Sequence, residues 1–437
     1  MTNKNVNIIG GGLAGCEIAW FLANNGVMVN LFESKKIKKN EIQKSDLLAE
    51  LVCSNSLRSL SKLNAAGILK EEMKLLNSLI IKAAEQAKIV SDDALSVDRF
   101  MFSSFIENTI INHPNISYNN EEITKLNNDE INIIATGPLT SEKLKSWIKQ
   151  NITQDDMFFY DASSPIVEKD SIDFSKTYWQ NRHKNDGKYL CVGLDEKQFE
   201  DFYKELINAK KTKLNEIDKN NFFKGCQPIE ELATKSKKLL INGPLSPNNL
   251  NNNDINYTAV VQLRQDDSLG NLFSFVGFQT NLKWGEQDRV LKTLPGMKNI
   301  KIVRYGVLHK NYYLNSPKVI NFNQQSKVNN NLFFSGQITG VEGYIESASS
   351  GIWTGICVLA YLRNITLRPL SRRSMIGALN YYITNPRHEN LKPMKANLGI
   401  LDQKNKNTKS EFYSFDQSQQ EIKTLINYLR HCMIEST

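Results

Sequence analysis

Apolar and polar positions at the start of the chain change rhythm in a telling order. NVNII, residues 5–9, reads as a short buried strand, and GGGLAG follows it. EIAWFLANNG then carries apolar residues at helical intervals up to Gly26, and VMVNLFE is a second apolar run ending at Glu33. The spacing predicts a strand, turn, helix and second strand, a β-α-β unit of about thirty residues. Polar residues 35–45 predict an exposed loop, and residues 47–62 are mixed. Helical spacing returns over 71–87 and again over 100–113, and ISYNNEEITKL and EINIIATG read as strands. ATGPL, residues 135–139, predicts a strand that leaves the first domain through a glycine turn.

From about Asp155 to Gly306 the parallel-sheet rhythm stops and aromatic residues mix with charged ones. Within that stretch NGPLSPNNLNNNDINY, residues 242–257, is rich in Pro, Gly and Asn and reads as a loop. Residues 330–362 return to strand, glycine turn and long helix, and the charged tail from Lys406 becomes helical in its last part. The expected division is therefore a nucleotide-binding domain over 1–154, an inserted mixed α/β domain over 155–306, and the second part of the first domain with C-terminal helices over 307–437. There is no internal repeat.

The glycine turn brings in chemistry. Gly10, Gly12 and Gly15 fit GxGxxG, within the loop Gly10, Gly11, Gly12, Leu13, Ala14, Gly15. The first glycine permits a tight turn, the second lets backbone approach a pyrophosphate, and the third lets helix pack on strand. The helix N-terminus offers amides and a positive dipole to phosphate. Glu33 is placed to accept from ribose hydroxyls. A glycine turn in any α/β protein explains the loop alone; strand, helix, second strand and acid together point to a dinucleotide, FAD or NAD. The later run FFSGQITGVEGYIESASSG decides for FAD, because Gly336, Gln337, Gly340 and Gly343 precede a helix of small residues and no second GxGxxG occurs.

Composition adds bounds. The 437 residues are too many for one ordinary core. No run reaches the roughly 18 apolar residues of a membrane span, and an N-terminus that enters a strand at once leaves no room for a signal peptide, so a cytoplasmic location is expected. Six scattered cysteines without a CxxC pair, and five histidines apart from them, predict no metal site. Without further information, each cysteine is best read as a small buried hydrophobe. The net charge of +8 is compatible with a nucleic-acid partner.

At AELVCSNSLRS, residues 49–59, the sequence stops being generic. This block resembles the TrmFO family of FAD- and folate-dependent tRNA (uracil-5-)-methyltransferases. The likeness runs on through SVDR, ATGPLTS, FYDASSPIV, GCQPIEELA, AVVQLRQD, VGFQTNLKWGEQ, RYGVLHKNYYLNSP and GQITGVEGYIESASSG to PMKANLGIL. It implies a glutathione-reductase-like flavoprotein and methylation of a T-loop uridine in tRNA. Methylenetetrahydrofolate would be the carbon donor, reduced FAD the methylene carrier and reductant, and NAD(P)H the source of flavin electrons. The family motifs map Cys226, in GCQP, to the nucleophile and Cys53, in LVCSN, to a second catalytic thiol that helps remove a proton. Departures fall at Lys310, Asn311 and Tyr312, at Cys191, Val192 and Gly193, and from Ser246 to Leu250; they leave open whether tRNA or ribosomal RNA is the target.

Arg264, Lys283, Trp284, Arg304 and His309 are candidates to line the folate or uracil pocket, with salt-bridge, interface-anchor and structural-histidine roles as the plain alternatives. Two rivals remain: an FAD-containing RNA-binding protein without turnover, and a flavin oxidoreductase acting on small molecules, which leaves LVCSNSLRS and GCQP unexplained. Oligomeric state is not legible.

Overall fold

The computed structural model describes residues 5–40, 42–155, 157–181, 188–212, 227–250, 255–402 and 413–435. Its first sheet has five parallel strands in the spatial order Leu332–Phe334, Ile131–Ile134, Val6–Ile9, Val29–Glu33, Ile116–Asn120. VNII and INII are apolar apart from Asn7 and Asn132, which face each other in the paired strands, Asn7 Nδ2 donating to Asn132 Oδ1 at 3.3 Å. Helix Leu13–Asn24 makes the first crossover, as the sequence predicts.

The long helix Tyr344–Leu362 packs against Leu13–Asn24, and small residues set how closely. A Cβ on Gly351 would lie 2.6 Å from the Ala14 carbonyl oxygen, and one on Gly355 would lie 2.9 Å from Phe21. By length and composition this helix meets the test for a membrane span, which the sequence reading did not expect, but 89% of its apolar window is buried within the fold.

The helix expected over 71–87 is two helices, Ala65–Leu75 and Leu79–Gln86. Asn77 between them has φ +62, and Ser78 caps the second by accepting from Ile81 N. The fully buried Glu17 carboxylate also accepts from Leu79 N at 3.1 Å and Ile80 N at 3.0 Å. A continuous apolar period concealed this break, because a polar side chain on another helix supplies the cap.

The second sheet is antiparallel and has six strands in the order Tyr178–Gln180, Tyr189–Leu194, Ala259–Gln265, Leu272–Phe275, Ile166–Glu168, Ile302–Arg304. It owns a separate core that includes Val167, Leu190, Phe202, Phe273 and Met297. The chain enters this sheet along Met157–Ala162 and returns along Leu308–Tyr313, and these two strands pair antiparallel with His309 opposite Asp161 and Asn311 opposite Phe159. That pairing brings the chain entering the second sheet and the chain leaving it side by side.

Candidate active site

The glycine loop lies at the C-terminal ends of the parallel strands, where open α/β sheets bind ligands. Its glycines do different work. Gly10 has φ +109, and a Cβ there would lie 2.6 Å from the Ala135 carbonyl oxygen. A Cβ on Gly15 would collide with the carbonyl oxygen of Gly10. A Cβ on Gly12 would meet nothing within 4 Å among the described residues, and Gly12 heads helix Leu13–Asn24 without a side-chain cap among them. Open space, a bare backbone and the amides of Leu13, Ala14 and Gly15 make a cradle for a diphosphate.

Glu33 accepts from Gly11 N at 2.7 Å and from Lys35 N at 2.8 Å, which fixes its carboxylate at the strand end with lone pairs to spare for hydroxyls. The C-terminal segment closes on the same loop. Gly336 has φ +77, and a Cβ there would sit 2.7 Å from Ala14 Cβ. Gly340 and Gly343 are left-handed, with φ +89 and +116. Gln337, next to Gly336, turns its amide onto the carboxyl of Glu342.

That pair opens onto a cavity of about 250 Å³ whose walls include Cys53, Asp161, Arg264, His309, Asn311 and Glu342. Cys53 Sγ lies 3.7 Å from Asp161 Oδ2 and 3.8 Å from His309 Nε2, and those two atoms are 3.9 Å apart. The three donor atoms fall within 4.8 Å of one another, a grouping that metal sites also use. Sequence spacing could not reveal it, because Cys53 is 108 positions from Asp161 and 256 from His309.

The loop that carries Cys53 is held from several sides. Cys53 N and Ser54 N donate to Tyr344 Oη at 2.8 and 3.1 Å. Arg304 donates to the carbonyls of Val52 and Ile42, and Arg99 donates to that of Leu51.

Burial tunes the cavity's acids and bases. It pushes the His309 imidazole below its usual range against the opposing pull of Asp161, so the ring is neutral at neutral pH. It pushes the Glu342 carboxyl up to about 8, helped by the negative charges of Asp161 and Glu346, so that side chain holds a proton at pH 7.

Of the five pocket candidates, Arg264 and His309 line this cavity. Lys283 and Trp284 do not: Lys283 is the N-cap of helix Trp284–Leu291, and Trp284 is 61% exposed and stacks on Tyr305 with centroids 5.2 Å apart. Arg304 acts one step back, on the Cys53 loop. Cys226 lies outside the described residues. Asp161, Glu342 and Tyr344 are not singled out by sequence, and Asn311 is singled out there only as a departure from the family pattern, not as a pocket residue. The available signal was position: Asp161 falls in FYDASSPIV, and Asn311 sits two residues after His309, on the same strand face.

The glucose inhibited division protein A (GIDA) family matches residues 5–366. A curated relative from Mesoplasma florum, named methylenetetrahydrofolate--tRNA-(uracil-5-)-methyltransferase TrmFO 1, is 62% identical over 426 residues, covering 97% of this chain and 96% of the relative. The TrmFO of Bacillus subtilis is 45% identical over 422 residues, covering 95% and 97%. Among solved structures, Aquifex aeolicus GidA in its form II crystal superposes with a TM-score of 0.69 at 18% identity, over 97% of this chain and 73% of that one, a likeness of fold. The chain belongs to the glucose inhibited division protein A family and, within it, to the TrmFO group.

Proposed function

We propose that this chain is an FAD-dependent enzyme that methylates carbon 5 of a T-loop uridine in tRNA, with methylenetetrahydrofolate as carbon donor. The observation that carries the proposal is the junction at Gly336 and Gln337: one residue packs on the phosphate-cradling helix, and the next lines the cavity that holds Cys53. A cofactor seated in the cradle would extend toward the cavity that holds the thiol. The donor, the RNA and the modified carbon are those in the names of the relatives.

FAD, when bound, supplies the reducing equivalents that complete the methyl group. The chain's own residues do the rest. Gly12 and the helix amides would hold phosphate, and Glu33 would hold ribose. Carbon 5 of uracil is a poor nucleophile, so a thiolate must first add at carbon 6, the role assigned to Cys226. Cys53, with Asp161 and neutral His309 within 4 Å, is the group placed to receive the carbon-5 proton. The cavity is recessed, so the uridine must flip out of its loop to enter. NAD(P)H as the reductant, a cytoplasmic location, and the insert over 155–306 as the RNA-facing domain complete the proposal.

The test is one assay. Purified protein is given FAD, NAD(P)H and labelled methylenetetrahydrofolate, with tRNA or with ribosomal RNA. Label recovered as 5-methyluridine in tRNA is expected; label only in ribosomal RNA moves the target, and no label with FAD-loaded protein sinks the enzyme. Cys226→Ala is expected to abolish labelling while flavin stays bound, and retained turnover would remove Cys226 from the nucleophile role.

A further inference from the structure

The cavity wall carries polar atoms that the fold leaves unmet. Asn311 is 1% exposed, and neither its Oδ1 nor its Nδ2 has a hydrogen-bond partner among the described residues. Arg264 Nε, on the same cavity, is likewise buried and unmet, although its guanidinium also meets Tyr189. Native folds satisfy nearly all buried polar groups, so an unmet amide facing a cavity marks a ligand's place. Strand alternation agrees: His309 and Asn311 share the cavity face of Leu308–Tyr313, while Lys310 between them is exposed.

The unmet atoms define the missing partner. Asn311 offers one donor and one acceptor, and Arg264 Nε offers a second donor. Their complement is an edge with two acceptors and one donor in the order carbonyl, N–H, carbonyl, which is a cyclic imide. Uracil has that edge, and so does the pyrimidine ring of a flavin. Cytosine offers two acceptors and an amino donor without the central N–H, and a pterin offers one carbonyl and two donors, so each sets like against like.

We propose that Asn311 and Arg264 form a reading site for a cyclic imide edge, with Asn311 accepting from the ring N–H and donating to one carbonyl while Arg264 donates to the other. The assignment rests on the function proposed above, which brings both imides to this cavity, and it adds the residues that tell uracil from cytosine or hold the flavin edge.

Binding rather than turnover tests it. The FAD-loaded protein is titrated with an RNA hairpin whose loop uridine is intact, or replaced by 3-methyluridine, which lacks the N–H. In parallel, cofactor-free protein is titrated with FAD and with its 3-methyl analogue. If uracil is read, the intact hairpin binds about tenfold more tightly, and Asn311→Leu erases that preference with FAD affinity unchanged. If the flavin is read, FAD binds about tenfold more tightly than its analogue, Asn311→Leu erases that difference, and the hairpins bind alike.

Ligand-free Asn311→Leu is also expected to melt at or above the parent protein, because the change removes an unmet amide; a structural asparagine would give a lower value. No preference for either unmodified ligand by the parent protein overturns the proposal without reference to any variant. Binding preference that persists without methylation of the uridine hairpin supports the imide site and counts against the enzymatic activity instead.

Discussion

The phosphate cradle and the thiol cavity meet at Gly336 and Gln337 yet are built by opposite means. The cradle is backbone: six consecutive residues, a helix end and one carboxylate, with three glycines whose value is the side chain they lack. The cavity is side chain: Cys53, Asp161, Arg264, His309, Asn311 and Glu342 arrive from five separate segments, and burial shifts the charge states of His309 and Glu342. A backbone site survives most side-chain changes around it and fails when a Cβ intrudes. A side-chain site tolerates changes to its scaffold and fails when one functional atom is lost.

The largest effect expected from that contrast is Gly15→Ala, which drives a methyl group onto the Gly10 carbonyl oxygen, a backbone atom with no flexible side chain to give way. Overpacking of this kind costs about 3 kcal/mol or more, and flavin should be absent from the purified protein. Next comes Cys53→Ala. The half-buried thiol contributes little to packing, so flavin content and urea stability should stay near those of the parent, while methyl transfer falls about 100-fold or more, the usual scale for a lost proton-transfer group. Smaller again is Gly12→Ala. Its Cβ meets nothing among the described residues, so stability should move by less than about 1 kcal/mol, while FAD affinity falls about tenfold because the methyl group would occupy the phosphate's space. If Gly12→Ala proves as destabilising as Gly15→Ala, the open space at Gly12 is not a ligand's place.

The same contrast explains what the sequence made legible. The strand, turn, helix and second strand could be read because each residue of the cradle acts near its own position: GGGLAG, then Glu33. The return of the chain over 330–362 was readable for the same reason. The break at Asn77 was hidden because Glu17, sixty-two positions from Leu79, supplies part of the cap. The cavity was visible in part, as Cys53, Arg264 and His309, and the first of these came from family resemblance rather than local pattern. Asp161 and Glu342 look like ordinary strand and turn residues, and Asn311 stands out only as a departure from the family pattern, until the pairing of Met157–Ala162 with Leu308–Tyr313 sets them around one space. Trp284 is exposed, stacks on Tyr305 and does not line the cavity, a placement that its position beside a lysine in the sequence could not give.

The smallest expected effect separates the two sites by pH. The Glu342 carboxyl, ordinarily near 4.5, is held at about 8 in the fold. Below its ordinary value both the folded and unfolded chains carry the proton, and its contribution to stability is fully present. As pH rises, the unfolded chain loses the proton first, so stability falls until the folded carboxyl also ionises near 8, where the loss levels off. Glu17 and Glu72, each pushed up to about 7 by burial, act in the same direction over a lower window. Glu342→Gln is neutral at every pH and can still accept from Gln337, so its urea stability should fall less steeply between pH 5 and 8, with a gap of about 1 kcal/mol or more at the upper end. Gly12→Ala changes no titrating group, and its curve should run parallel to that of the parent. If Glu342→Gln also ran parallel, the carboxyl would ionise in the fold as it does in the unfolded chain and would be charged in the cavity at neutral pH.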